Sequence, residues 1–239
     1  MAKIKDAYPK KSSGGYDRVF DNKEVGYLVQ RIQSTVISNG NELEKMIIEG
    51  SQKIENLDDW LYDLKNNKIA NGTYLCPKSV IKRSRYNMEK HEPDMAVFQV
   101  SPTEKNCMVI DLKDGDSFDS KKADGEHDAL EKFCTYLGQK IPFITNFYIC
   151  CFNQPEKEEI VSGLKSKFSI DEVMTGKELC DLLGMDYAEI IEKRKEMSKE
   201  NLDFFVSELI NIPIIKIKLS EKRKAKISEE EFYTEEIDN

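Results

Sequence analysis

The stretch MVIDLKDG, residues 108–115, decides how the rest of the chain is read. Met108, Val109 and Ile110 are apolar and Leu112 continues the run, as a buried strand would. Asp111 and Lys113 interrupt it. Charged side chains are depleted in strands and costly to bury unpaired. A strand repeats every two residues, so Asp111 and Lys113 project from one face while Leu112 points to the other. One reading is an ordinary exposed pair at a strand edge, which contributes little. The apolar run around the charges, followed by a second apolar run at FITNFYICCF (143–152), favours a central strand. There, two charges on one face call for a ligand or a metal in compensation.

Working outward, DMAVFQVS (94–101) reads as another strand, with Met95, Val97 and Gln99 on one face, and SPTEKN (101–106) as a short turn. Two short strands so closely joined form an antiparallel hairpin. Asp94, the last residue of HEPD (91–94), then stands at the end of one arm, with Asp111 and Lys113 near the end of the other. Two carboxylates and an ammonium converge at the end away from the turn. Carboxylates with a main-chain carbonyl make the hard oxygen site that Mg²⁺ prefers, and Mg²⁺ keeps waters that can attack. Lys113 could hold or deprotonate such a water, or neutralise charge growing on a phosphate. The chemistry this suggests is phosphodiester hydrolysis.

The flanks supply the remaining elements. Residues 1–22, with Pro9, Ser12, Ser13, Gly14, Gly15 and the basic Lys10 and Lys11, read as irregular. Val25, Leu28, Val29, Ile32 and Val36 predict a helix over 23–37, which SNGN (38–41) breaks. Leu43, Met46, Ile47, Ile54, Leu57 and Leu61 resume the helical period, and NNKIANG (66–72) turns the chain. TYLCPKSVIKRSRY (73–86) holds one or two short strands. After 113 comes a helix over roughly 119–139 with Ala123, Leu130, Phe133, Cys134 and Leu137 on its apolar face. A central strand at 143–152, buried on both faces, follows. The last third is mainly helical. Pro155 opens one helix, TGKELCDLLGMD (175–186) has a Thr cap and ends near Gly184, and 187–210 is long and rich in charged pairs. IPIIKIKLS (212–220) alternates apolar residues with lysine, as a half-exposed strand does. The fold class is α/β, a central mixed sheet flanked by helices, with helical N- and C-terminal elaborations and no evident domain boundary.

Composition narrows the class. The chain has 239 residues, enough for one large domain with a core of its own. Its apolar runs are too short to span a bilayer, and MAKIKDAYPKKSSGGY lacks the apolar segment of a secretory signal. Six cysteines without a CxxC pair, and only two histidines, argue against a structural zinc and a disulfide framework. Reduced thiols in a cytoplasmic protein are expected. The Thr-Gly-Lys of 175–177 lacks the phosphate-loop spacing, and a capped helix is expected there. Net charge is −8, which repels a polyanion unless a local basic surface exists.

The pair Pro93-Asp94 followed by Asp111-Leu112-Lys113, on adjacent strands within the order helix, strands, helix, strand, resembles the PD-(D/E)XK nuclease superfamily. The resemblance covers residues 30–152. It implies a restriction-endonuclease-like core, Asp94 and Asp111 as metal-ligating carboxylates, the Leu112 carbonyl as a further ligand, and Lys113 as the catalytic lysine. It also directs attention to Glu44, since members carry a Glu on the first core helix in a Ser/Gly-x-x-Leu-Glu context like SNGNELE (38–44). Glu44 is equally read as an exposed acid favoured by the dipole of a helix first turn.

A single domain over 1–239 is expected: core about 30–152, a mainly helical part over 153–220, and an acidic tail over 221–239 that could be flexible. Size and the lack of ATPase, helicase or methyltransferase motifs point to a type II restriction endonuclease. Such an enzyme would cut short sites in double-stranded DNA as a homodimer with Mg²⁺, leave 5′-phosphates, and pair with a cognate DNA methyltransferase. A repair or structure-selective nuclease, and a non-catalytic DNA-binding protein, are the alternatives.

Basic residues flank the motif. Lys78, Lys82, Arg83 and Arg85 precede it and suit phosphate contact, though a solvated face has the same composition. Arg83 and Arg85 could also read guanine edges. Lys121 and Lys122 fall at a helix N-terminus, a position that binds phosphate. His127, a turn or more into that helix, reads as a surface or interface residue rather than a general base.

Overall fold

The structure is a computed structural model that describes residues 2–8 and 15–237, with the backbone alone over 226–237. Its elements run α1 (Gly15–Phe20), α2 (Lys23–Glu49), α3 (Leu57–Lys65), β1 (Gly72–Pro77), α4 (Lys78–Ile81), β2 (Met95–Val100) and β3 (Lys105–Lys113). They continue as α5 (Ser120–Gly138), β4 (Ile144–Cys151), α6 (Lys157–Gly163), β5 (Val173–Thr175), α7 (Gly176–Leu183), α8 (Tyr187–Asn211) and α9 (Pro213–Ile237). The chain divides into two compact units, Met1–Asn39 with Glu192–Asn239, and Gly40–Ile191.

The unit Gly40–Ile191 holds a five-stranded sheet in the order β1-β2-β3-β4-β5. The first three strands pair antiparallel and the last two join in parallel, so the sheet is mixed as expected. The hairpin forms around a turn at 101–104, with Met95 opposite Ile110 and Val100 opposite Lys105. Strand alternation sorts the core into two layers. Cys76, Ala96, Phe98, Cys107 and Val109 face one cluster with Leu61 of α3 and Leu130, Phe133 and Leu137 of α5. Leu75, Met95, Val97 and Ile110 face the other, with Leu43 and Ile47 of α2 and Leu179 of α7. All five residues of the expected apolar face of α5 are buried.

Two caps bound the helices as their residues dictate. Asp119 accepts the amide of Lys122 and starts α5. Thr175 and Glu178 form a reciprocal capping box on α7, which ends at Gly184 in the left-handed region, φ 69°. Gly176 sits where a Cβ would collide with the Phe152 carbonyl oxygen. That contact explains Thr-Gly-Lys without a phosphate.

Several expectations are corrected. Residues 38–41 do not break a helix, because α2 runs through them to Glu49. Gly40 costs a helix about 1 kcal/mol against alanine. Leu43 and Ile47, fully buried just beyond it, stabilise by roughly 1.5–3 kcal/mol each, so packing wins. Val36, counted on the apolar face, is exposed, while Arg31 and Thr35 are buried. Residues 73–86 give one strand, within the one or two expected, and then the short α4, which the sequence pattern does not predict and whose Val80 and Ile81 are buried. β4 is fully buried only over Ile149–Cys151, and Ile144 at its start is exposed. The last third also contributes β5 to the sheet. Residues 212–220 are not a strand, since α9 begins at Pro213, which suits a first helical position. Ile214, Ile217 and Leu219 are all exposed there, so the alternation marks no buried face.

The unit of Met1–Asn39 and Glu192–Asn239 is helical. Of residues 1–22, the described ones form a 3₁₀ turn at Ile4–Asp6 and then α1, which Gly15 opens although a loop is expected there; the expected loop residues Pro9 and Ser12 to Gly14, and Lys10 and Lys11, lie outside the described residues. Asn201 holds residues 2–4 by accepting the Ile4 amide at 2.8 Å and donating to the Ala2 carbonyl at 3.0 Å. Arg31, 9% exposed, donates through Nη2 to the carbonyls of Ile4 and Lys5 at 2.8 and 2.9 Å. Val25, Leu28 and Ile212 form a small core. The acidic tail continues α9 as far as Ile237.

Candidate active site

The hairpin register places Asp94, one residue before β2, beside Asp111 of β3. The two aspartates are locked through main chain. The Asp94 amide donates to Asp111 Oδ1 at 3.0 Å, and the Leu112 amide donates to Asp94 Oδ2 at 3.0 Å. The Lys78 amide donates to the Asp94 carbonyl at 2.9 Å, and Lys78 Nζ reaches Asp94 Oδ1 at 3.2 Å. Asp94 is thus fixed from β3 on one side and from the first residue of α4 on the other. Lys78 sits inside the cluster rather than on a flank.

Asp111 lies on the face of β3 that carries Cys107 and Val109 toward α5, and it is 7% exposed. Lys113, two residues on, follows it on that face. Lys113 Nζ stands 3.4 Å from Asp111 Oδ2 and 3.2 Å from Glu126 Oε1. Burial foremost pushes the Asp111 carboxyl above its ordinary pKa. Lys113 opposes that rise, and a hydrogen bond to Glu126 adds to it. Burial also acts to lower the Lys113 ammonium, but the Asp111 and Glu126 charges outweigh it and hold the lysine above its usual value. Burial raises Glu126 too; its hydrogen bond with Asp111 and the charge of Lys113 prevail, and its pKa is lowered.

Glu44, half-buried on α2, joins the electrostatics of this group. Burial raises its carboxyl, and the charges of Asp94 and Asp111 push it further against the pull of Lys78. Of the two readings of Glu44, the surface acid of a helix first turn does not fit, since residue 44 lies well inside α2.

The other basic candidates are placed as follows. Lys82, Arg83 and Arg85 are exposed. Arg83 Nε donates to the Ser79 carbonyl, and Arg85 pairs with Asp58 at 3.1 Å. Lys121 and Lys122 are exposed in the first turn of α5, Lys122 over the Phe118 ring at 4.5 Å. Lys122 also helps to lower the Glu126 carboxyl. His127 packs edge-on against Phe147 and Phe168 and lies 3.6 Å from Glu172, a structural setting. All six cysteines are free and buried, and burial raises the Cys76 thiol to about 12.

Sequence reasoning missed Glu126. The available signal was its place three residues after the buried Ala123, on the helix that follows β3. The DxK spacing says nothing of that helix's rotation, so only packing reveals the contact.

Among the described residues, no three carboxylate, histidine or cysteine side chains form a ready metal cage. Magnesium needs no such cage, because it takes one or two carboxylates and keeps several waters. The charge balance suits a cation. Four carboxyls, Asp94, Asp111, Glu44 and Glu126, face the two ammoniums Lys78 and Lys113. A bound cation would favour the ionised forms of Asp111 and Glu44, which burial and neighbouring carboxylates now oppose. Asp94, Asp111 and the Leu112 main chain could hold it, with Lys113 beside it.

Over 221 residues the chain is 46% identical to the type II restriction enzyme HhaII of Haemophilus parahaemolyticus, which covers 90% of this chain and 97% of that protein. No family model matches the chain.

Proposed function

The chain belongs to the family of type II restriction enzymes, and from that premise we propose that it hydrolyses phosphodiester bonds at a short specific sequence in double-stranded DNA, with Asp94, Asp111 and Lys113 as its working residues. The observation that carries this reading is the cross-strand lock of Asp94 on Asp111 and Leu112, with Lys113 next on the same face. The core is read as PD-(D/E)XK. The full-length match to a restriction enzyme favours this function over a repair nuclease or a non-catalytic DNA-binding protein.

In this reading Asp94, Asp111 and the Leu112 carbonyl would hold Mg²⁺, and Glu44 would contribute a further carboxylate close by. Bound Mg²⁺ supplies Lewis-acid polarisation of the scissile phosphate and a more acidic water. Lys113 holds the attacking water against the phosphate and offsets negative charge growing there. The backbone bonds to Asp94 fix it before substrate arrives, so little reorganisation is needed. The product keeps its 5′-phosphate. Lys82, Arg83, Arg85, Lys121 and Lys122 contact the DNA backbone and supply the basic surface that a chain of net charge −8 otherwise lacks. Two copies related by a two-fold axis suit a palindromic site. A cognate methyltransferase protects the host, and the enzyme works in the cytoplasm. Among the described residues no helix is long and apolar enough to cross a membrane.

Incubation with plasmid DNA in Mg²⁺ and in EDTA tests the reading. Discrete fragments with Mg²⁺ alone support it. Nicking or smearing supports a structure-selective nuclease, and no cutting with any divalent metal overturns it. A Lys113→Ala variant that still cuts removes Lys113 from the site.

A further inference from the structure

We propose that Glu126 of α5 is the positioning residue for Lys113, anchoring its ammonium when Asp111 turns to a metal ion; the inference rests on the nuclease reading above. Lys113 Nζ is held between two carboxylates, Asp111 Oδ2 at 3.4 Å and Glu126 Oε1 at 3.2 Å. Asp111 cannot serve the ammonium and a divalent cation equally well, since the cation polarises the lone pairs that the lysine uses. A flexible four-carbon stem left with no other partner would swing away from the scissile phosphate. Glu126 supplies that partner from a different element. Its helix is anchored at Asp119 and buries Ala123 and Leu130 on either side of Glu126 in sequence. The carboxylate is therefore carried by a packed helix, the kind of support that keeps a reacting side chain within a fraction of an ångström. Glu126 is itself half-buried, so its pairing with Lys113 is screened less than a surface ion pair.

The test compares wild type, Glu126→Gln, Glu126→Asp and, as a control on the same helix, the exposed Glu131→Gln. Four quantities are read: DNA affinity without Mg²⁺, single-turnover cleavage at saturating DNA and Mg²⁺, half-saturating Mg²⁺, and melting temperature. Glu126→Gln is expected to cut at least about ten-fold more slowly at saturation, with DNA affinity and half-saturating Mg²⁺ within about two-fold of wild type. Glu126→Asp, which keeps the charge one methylene further away, is expected between the two, and Glu131→Gln at wild type.

A metal-free readout runs beside these. Reductive methylation followed by mass spectrometry is expected to label Lys113 faster in Glu126→Gln than in wild type, with Lys122 unchanged. An unchanged rate overturns the proposal. So does a rate that high Mg²⁺ restores, which would make Glu126 a metal ligand, and so does a loss confined to DNA affinity. A Glu126→Gln variant that fails to fold leaves the decision to Glu126→Asp. Wild type that cuts no DNA at all overturns the nuclease reading instead, and this inference with it.

Discussion

Each of the two compact units buries charge, and they do so differently. In the helical unit Arg31 is 9% exposed, yet its guanidinium is spent on the Ile4 and Lys5 carbonyls, on Glu208 at 3.4 Å, and on the Phe204 ring at 4.8 Å. Donors and acceptors match, and the contact ties residues 4 and 5 to α2. In the sheet unit Asp111 is equally buried, but its surroundings hold more carboxylates than ammoniums, and its pKa rises. A buried charge alone therefore says little about function. A set whose charges are satisfied is a structural fastening, whereas a set left in excess of one sign marks where something else is meant to bind.

The largest expected effect that sharpens this contrast is in the sheet unit. Lys113→Ala should slow cleavage by about a hundred-fold or more while DNA affinity stays near wild type, in single-turnover and binding assays. A loss of affinity matching the loss of rate would place Lys113 among the DNA contacts instead.

Arg31→Ala comes next. It strips acceptors of a buried donor and should cost about 1–3 kcal/mol. Scanning calorimetry should show the melting temperature falling by the same amount with and without Mg²⁺. A Mg²⁺-dependent loss would break the division between fastening and site.

Asp111→Asn should go the other way. The wild-type carboxyl has a raised folded-state pKa, so the native protein binds the extra proton and stability from this group is complete below the ordinary carboxylate range. That contribution is lost as pH rises through the raised value. Without divalent metal, the variant's melting temperature relative to wild type should therefore climb as pH rises above the ordinary carboxylate range, about pH 4. Mg²⁺ should stabilise wild type and leave the variant nearly unmoved. A variant that gains as much from Mg²⁺ would take Asp111 out of the metal site.

The smallest effect belongs to neither cluster. Gly40→Ala, in the middle of α2 and with nothing within 4 Å of the new Cβ, should stabilise by about 0.5–1 kcal/mol at any Mg²⁺ concentration.

Much of the site could be read from residue order. A strand's period of two put Asp111 and Lys113 on one face, and a four-residue turn between strands forced Asp94 against them. Those are local rules, insensitive to what packs above the sheet, and the hairpin follows them. The apolar face of α5 and the caps of α7 are local in the same sense. The period was a poor guide at 212–220, where alternating isoleucine and lysine belongs to a helix opened by Pro213. It also failed at 38–41, where weak helix formers stay helical because Leu43 and Ile47 are buried beyond them. Glu126 lies outside such rules altogether. The sequence by itself determined the strand pair and its three charged residues, because backbone geometry over a few residues leaves no alternative. Only the tertiary structure decided that Lys78 closes on Asp94 and Glu126 on Lys113, because the rotation of a helix over a sheet is set by the whole packed layer between them.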